Sequence, residues 1–354
     1  MADEKTLMTP WGVFAGVTLK KVADDGRVLS LTLDARNVIV THVGELIPAY
    51  GAESPRRRQG PAVTFHRSGM IKSVMLETQQ AVLTPIGEMP AERVTFYETG
   101  EVARVFPVDG KLSGFWSESD ERTVNIPLHF ELGFTAFTAA LVSLSFYKSG
   151  DIRSITLFPG ETVAVSLPTG AVIPVRYGFS LYESGQLRSV EPAEPTAIDT
   201  RIGRLHVFDD SANGINADSG SLIFDEAGNL WAAATQDSIT IADSDGNTHV
   251  FKPSAIRDLL EEETLTVLPL RLSFDADGQW VSIKPPEGEG GRFNLTDCRF
   301  EMAAAGISGC PATGCDACSR CAHRGGDKGT RGRLLHRVES EDIFRFNITK
   351  GRSP

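Results

Sequence analysis

Phe146-Tyr147-Lys148-Ser149-Gly150-Asp151-Ile152 is the stretch that decides the fold. It reads as a tight hairpin. A type I turn followed by one left-handed residue closes a three-residue loop, and glycine belongs at the last loop position because a side chain would clash there. Pairing across Lys148-Ser149-Gly150 sets Tyr147 opposite Asp151, Phe146 opposite Ile152 and Leu144 opposite Ser154. Side chains alternate faces along a strand, so Val142, Leu144, Phe146 and Ile152 form an apolar face, while Ser145, Tyr147 and Arg153 form a wet one. A lone two-stranded hairpin is marginal in water, so this one needs neighbours.

The neighbours are written in the same grammar. Phe65-His66-Arg67-Ser68-Gly69-Met70-Ile71, Phe96-Tyr97-Glu98-Thr99-Gly100-Glu101-Val102 and Leu181-Tyr182-Glu183-Ser184-Gly185-Gln186-Leu187 repeat it, and Phe274 to Trp280 closes the series. A second turn phrase lies between them, at Thr41 to Leu46, Thr84 to Met89, Leu167 to Val172 and Thr200 to Leu205. Gly26, Gly44, Gly69 and Gly87 are spaced by 18, 25 and 18 residues; so are Gly185, Gly203, Gly228 and Gly246, at a constant offset of 159. Gly100, Gly150 and Gly170 form a middle unit interrupted near Leu128 to Ala140. Such periods predict hairpins that shelter one another's apolar faces.

The expected fold is therefore all-β: tandem β-hairpin repeats stacked into an extended sheet or solenoid-like body, with one short helix and a Cys-rich C-terminal tail. Its parts are a lead over residues 1–17, a body over 18–290 and a C-terminal segment over 291–354. Within the body, units lie near 18–99, 100–176 and 177–250, with a last hairpin over 264–285. Pro253-Ser254 ahead of Ala255 to Glu261 predicts the helix, with Ile256, Leu259 and Leu260 on its buried side.

The quoted phrases resemble the MORN-type hairpin repeats, including the variant of a family of bacterial antitoxin-like proteins. In those repeats a Tyr or Phe precedes a turn glycine and hairpins line up into an elongated sheet. The resemblance covers about residues 20 to 285 and implies a repeat scaffold. The usual Gly-x-Gly ending is absent, and the units here are longer.

Composition is that of a globular protein, with 41% hydrophobic and 23% charged residues. A net charge of -11 opposes nucleic-acid binding and binding to an anionic lipid surface. From Cys310 onward there are nine Lys and Arg against five Asp and Glu, so a basic tail follows an acidic body. The start lacks a basic segment with an apolar run, and no apolar stretch is long enough for a spanning helix, which predicts no membrane insertion and a cytoplasmic location.

One constellation carries chemistry. Cys310, Cys315, Cys318, Cys321 and His323 place four thiols and an imidazole within fourteen residues. Cys315-x2-Cys318-x2-Cys321 suits a 4Fe-4S cluster with Cys310 as fourth ligand, and it resembles part of the bacterial ferredoxin run without that run's final x3-Cys-Pro. Zinc, or no metal at all, remains open on the same residues. Cys298 reads as a small buried residue on a strand. His66, His129, His206 and His249 have no adjacent nucleophile, and Asp243-Ser244-Asp245-Gly246-Asn247 reads as a turn, since the Glu of a calcium loop is missing. No phosphate-binding or dinucleotide fingerprint occurs. The functional expectation is a non-enzymatic scaffold for an unknown protein partner, with Tyr97, Tyr147 and Tyr182 as an aromatic ladder on its surface; the alternative is a metal or iron–sulfur protein.

Overall fold

In a computed structural model, residues 6–57, 60–212, 217, 220–257, 265–304 and 344–348 are described. Lys148-Ser149-Gly150 is the three-residue loop that its sequence requires. The Gly150 N–H donates to the Tyr147 carbonyl at 3.0 Å and the Tyr147 N–H to the Asp151 carbonyl at 2.8 Å. Gly150 is left-handed, with φ +91°. The same two bonds close the loops that end at Gly26, Gly69, Gly100, Gly185 and Gly228.

Pairing differs from simple alternation in one respect. Phe146 faces Ile152 and Ser145 faces Ser154, so Arg153 is an extra residue and Leu144 lies opposite Ile155 rather than Ser154. An extra residue stands at the same place in five other hairpins, at Leu29, Lys72, Ala103, Arg188 and Trp231. Such a bulge accommodates the left-handed loop residue and sharpens the local twist.

The bulge aligns a row of apolar side chains across the sheet. Leu31, Val63, Val74, Val94, Val105, Leu144, Ile155, Phe179, Val190 and Leu222 each lie directly opposite the next. All are 0% exposed. Every pairing along the row is antiparallel, and each hairpin's second strand joins the first strand of the following hairpin.

The face expected to be wet is covered in the middle hairpins. Ser143, Ser145, Ser154 and Thr156 are buried there. Cross-strand bonds offset part of this burial: the Ser180 and Ser189 Oγ atoms are 2.6 Å apart, and Arg104 Nε donates to Ser145 Oγ at 2.7 Å, whereas the buried Ser143 Oγ has no hydrogen-bond partner among the described residues.

A second set of bonds stitches hairpin to hairpin. The hydroxyls of Tyr97, Tyr147 and Tyr182 donate at 2.8 Å to the carbonyls of Phe146, Leu181 and Phe224, each the residue before the next hairpin's loop-closing position. His66 Nε2 lies 3.0 Å from the Phe96 carbonyl in the equivalent place.

Between these hairpins run others. Thr41 and Thr84 each fold their Oγ1 onto the carbonyl of the glycine three residues on, at 2.9 and 2.6 Å, and the lead contains a further turn of this kind, Thr9 to Gly12. Leu167 to Gly170 closes instead as a three-residue loop. The interruption near Leu128 to Ala140 is itself a hairpin, Leu128–Leu132 with Thr135–Ala139, against which Arg345–Ile348 adds in parallel. Phe346 stacks on Phe130 there at 5.1 Å between centroids.

The helix Glu118–Val124, capped by Ser117, is where the single described helix lies. Ser254–Arg257, expected to open a helix, is a strand paired with Leu265–Leu268. The ladder satisfies its backbone groups, and tertiary pairing overrides the weak capping signal; the rest of that predicted helix lies outside the described residues.

The described residues divide into two compact units. One holds those of Met1–Thr196, Val207–Ala234 and Ile343–Pro354, including the whole apolar row; the other holds those of Ala197–His206 and Thr235–Asp342. In the second, Ser238–Ala242 runs between Thr248–Phe251 and Arg299–Ala303, and Trp280–Lys284 between Leu270–Phe274 and Gly291–Asn294. Among the described residues no helix is long and apolar enough to cross a membrane.

The row and the stitches differ in weight. Leu144→Ala is expected to cost about 2–5 kcal/mol of stability by opening a cavity in the row. Tyr147→Phe is expected to cost about 1 kcal/mol by leaving the Leu181 carbonyl without its donor. Urea unfolding of the two variants measures both, and the order should not reverse.

Candidate functional site

The most heavily charged interior of the first unit is a latch. Arg56 grips Glu92 with both terminal nitrogens at 2.8 and 2.7 Å, and its Nε reaches Glu121 at 2.8 Å. Glu121, on the helix, also accepts from the Gly110 N–H and the Trp116 indole N–H. Glu92 further accepts from the Asp109 N–H at 2.7 Å. Burial pushes the Glu92 pKa up, but the Arg56 bonds, the Arg57 charge and the Asp109 N–H outweigh it and hold the carboxyl below its ordinary value. Asp109, 2.5 Å from Arg93, goes the other way because burial dominates. The cluster fastens the helix and the segment around Arg56 to the sheet.

A second buried carboxylate, Glu191, accepts from the Ser221 N–H at 2.8 Å and hydroxyl at 2.5 Å, and burial raises its pKa. Arg176 lies 4.4 Å from the Phe208 ring centroid and 4.7 Å from that of Tyr177. Tyr177, at φ +61°, and Gly178, at φ +116°, are the positive-φ residues of the bulge that brings these groups together. Both clusters bond inward, between elements of one unit.

The histidines are similarly engaged. In the second unit His206 Nδ1 is 3.1 Å from Asp237 and His249 Nε2 is 3.1 Å from Asp243, whose segment to Asn247 is a turn. In the first, His129 bonds Thr138 at 2.8 Å. Cys298 sits before the strand Arg299–Ala303 rather than on it and is partly exposed. Cys310, Cys315, Cys318, Cys321 and His323 lie outside the described residues. Among the described residues no group of three or more His, Cys, Asp or Glu side chains is arranged to hold a metal ion.

The Tyr97, Tyr147 and Tyr182 ladder is half-buried, and its hydroxyls face the neighbouring hairpin rather than a partner. What the hairpins present outward is their loops. Asp24 and Asp25, Glu98 and Glu101, and Asp225 and Glu226 occupy three loops in pairs; Asp151 and Glu183 occupy two more. The cations there are Arg27, Arg67 and Lys148, and Lys148 lies over the Tyr97 ring at 5.6 Å. Glu101 takes a 2.5 Å bond from the Thr99 hydroxyl, which holds its carboxyl below the usual range.

Four of the gaps between successive loops are slots overhung by one of the intervening turns. Pro85 fills the slot at Gly150: a Cβ on that glycine would lie 3.0 Å from the Pro85 Cβ. Pro168 fills the slot at Gly228 in the same way, at 2.9 Å. Two further slots are open. One, of about 350 Å³, lies under the turn residues Thr41 and His42 and is walled by Trp11, Ile71 and Phe96. The other, of about 220 Å³, lies under Leu132 and Gly133 and is walled by Ile152, Leu181 and Ile348.

No protein-family model matches the chain, and no curated protein matches it in sequence.

Two measurements test this geometry. Gly26→Ala and Gly150→Ala both force a side chain into left-handed backbone, but only the second meets Pro85, since a Cβ on Gly26 has nothing within 4 Å. Gly150→Ala should therefore lower the unfolding midpoint more. Glu92, with its lowered folded pKa, contributes stability that is complete above the unfolded-state value and is lost as pH falls through the folded one. Glu92→Gln should cost about 3 kcal/mol near pH 7, and the gap to wild type should narrow on acidification toward about pH 3. Urea midpoints across that range read it out.

Proposed function

We propose that the chain is a non-enzymatic scaffold of tandem hairpins for protein–protein interaction, and that its docking face is the row of loops in the first unit. The observation that carries this reading is the division of polar groups. Inside, the charged clusters and the tyrosine hydroxyls bond to their own fold. Outside, carboxylates outnumber cations along one regularly spaced edge, which attracts a basic partner and repels an acidic one. The resemblance to MORN-type repeats agrees with a scaffold and adds no chemistry.

The test uses a fluorescein-labelled Lys-Ser copolymer peptide without apolar residues, followed by anisotropy. The expected result is weak, salt-sensitive binding that Glu98→Lys with Glu101→Lys reduces at least about fivefold, while Glu287→Lys with Glu289→Lys in the second unit leaves it unchanged. Equal loss in both variants, or no binding by wild type, would refute the reading.

A second reading rests on the Cys315-x2-Cys318-x2-Cys321 spacing, which fits a 4Fe-4S cluster or zinc. Anaerobic purification should then yield stoichiometric iron or zinc that Cys315→Ser with Cys318→Ser abolishes. A metal-free wild-type protein would end it.

A further inference from the structure

We propose that the two open slots are paired sockets for one extended, basic polypeptide segment whose two apolar side chains stand six residues apart. This rests on the docking reading above and specifies the partner that the loop row takes.

The slots correspond position for position. Ile71, Phe96 and Gly100 in the first stand where Ile152, Leu181 and Gly185 stand in the second, one hairpin pair further along. At these four slots the filled and open ones differ in the second residue of the turn above. Pro85 and Pro168 occupy their slots; at His42 and Gly133 the space stays free, and a Cβ on Gly133 would meet nothing within 4 Å. The larger socket is shaped for a ring: Trp11 is fixed by its indole bond to the Gly69 carbonyl at 3.2 Å, and His42 sits edge-on to Phe96 at 6.0 Å. The smaller one, walled by aliphatic side chains, takes a branched aliphatic group. Each has one carboxylate in its lining, Glu101 in the first and Asp151 in the second.

Their separation sets the spacing of the anchors. Four strands lie between them, Gly87–Phe96, Val102–Phe106, Leu141–Phe146 and Ile152–Leu157, all hydrogen-bonded in order. At about 4.8 Å per strand the sockets are about 19 Å apart. A chain crossing the loops in extended form advances about 3.3 Å per residue, so about six residues join the two anchors. An even number puts both on the same side of that chain, facing the sockets. The residues between pass over the Glu98, Glu101 and Asp151 loops, which calls for Lys or Arg there.

The experiment uses the full chain and two labelled peptides of identical composition. In Lys-Phe-Lys-Ser-Lys-Ser-Lys-Leu-Lys the anchors are six apart; in Lys-Phe-Lys-Ser-Lys-Ser-Leu-Lys-Lys they are five apart. The first should bind at least about tenfold tighter by anisotropy. Gly133→Pro, which copies the filled slots, should abolish that preference while leaving the binding of the second peptide intact. Ser184→Trp, at the exposed rim of the same socket, is the second variant should Gly133→Pro fail to fold, as judged by its melting curve. Equal affinity for the two peptides overturns the paired sockets and leaves the acidic docking face standing. Failure of every basic peptide to bind, the apolar-free copolymer included, removes both.

Discussion

The row from Leu31 to Leu222 is the constraint on which the first unit depends. Ten fully buried side chains lie directly opposite one another across successive strands. Burial of each such side chain is worth about 1.5–3 kcal/mol, so register is set by a large collective term rather than by any one loop. A slip of one residue would turn an entire strand's apolar set to the other face. The bulge after each loop keeps the row aligned: were Arg153 paired with Ser145 instead of bulged out, Leu144 would meet Ser154 and lose Ile155. Because all six hairpins of the row bulge at the same place, their loops finish at the same level, and a tyrosine on one can reach the carbonyl of the next.

Much of this was legible because loop chemistry is local. Gly69, Gly150 and Gly185 announce left-handed positions, and the aliphatic residue two places on announces the resumed strand. Local rules also explain the misses. Thr9-Pro10-Trp11-Gly12 has the Thr and Gly of the second turn phrase, yet it lies in the lead over residues 1–17, outside the body to which the spacing assigns the repeats. Ser117 with Asp120 is a capping box that went unread beside the apparent interruption. Leu167 to Gly170 lacks the threonine hydroxyl that holds the shorter turn and so closes as the longer one. Gly246 aligns with Gly87 by the 159 offset, yet its φ of +84° against +122° shows a different loop. Spacing finds turns; it does not choose between turn types of similar length.

The slots were not legible at all, for a different reason. Whether Pro85 meets Gly150 depends on two segments 65 residues apart being brought together by the sheet. The proline, histidine and glycine at this turn position look like neutral variation until the register is known. The same holds for Arg56, whose two carboxylate partners come from a strand and a helix far along the chain.

The loop carboxylates raise an electrostatic question: a row of like charges should oppose the packing that creates it. Successive hairpins are two strands apart, about 10 Å. That is about one Debye length at ordinary ionic strength, so neighbouring exposed loops repel one another only weakly. A single small cation gains correspondingly little from any one loop. A chain carrying several positive charges at extended spacing engages several loops in one binding event, and the later contacts benefit from the first by proximity. The geometry thus tolerates its own charge while favouring a long cationic partner over a short one, a distinction that net charge alone does not draw.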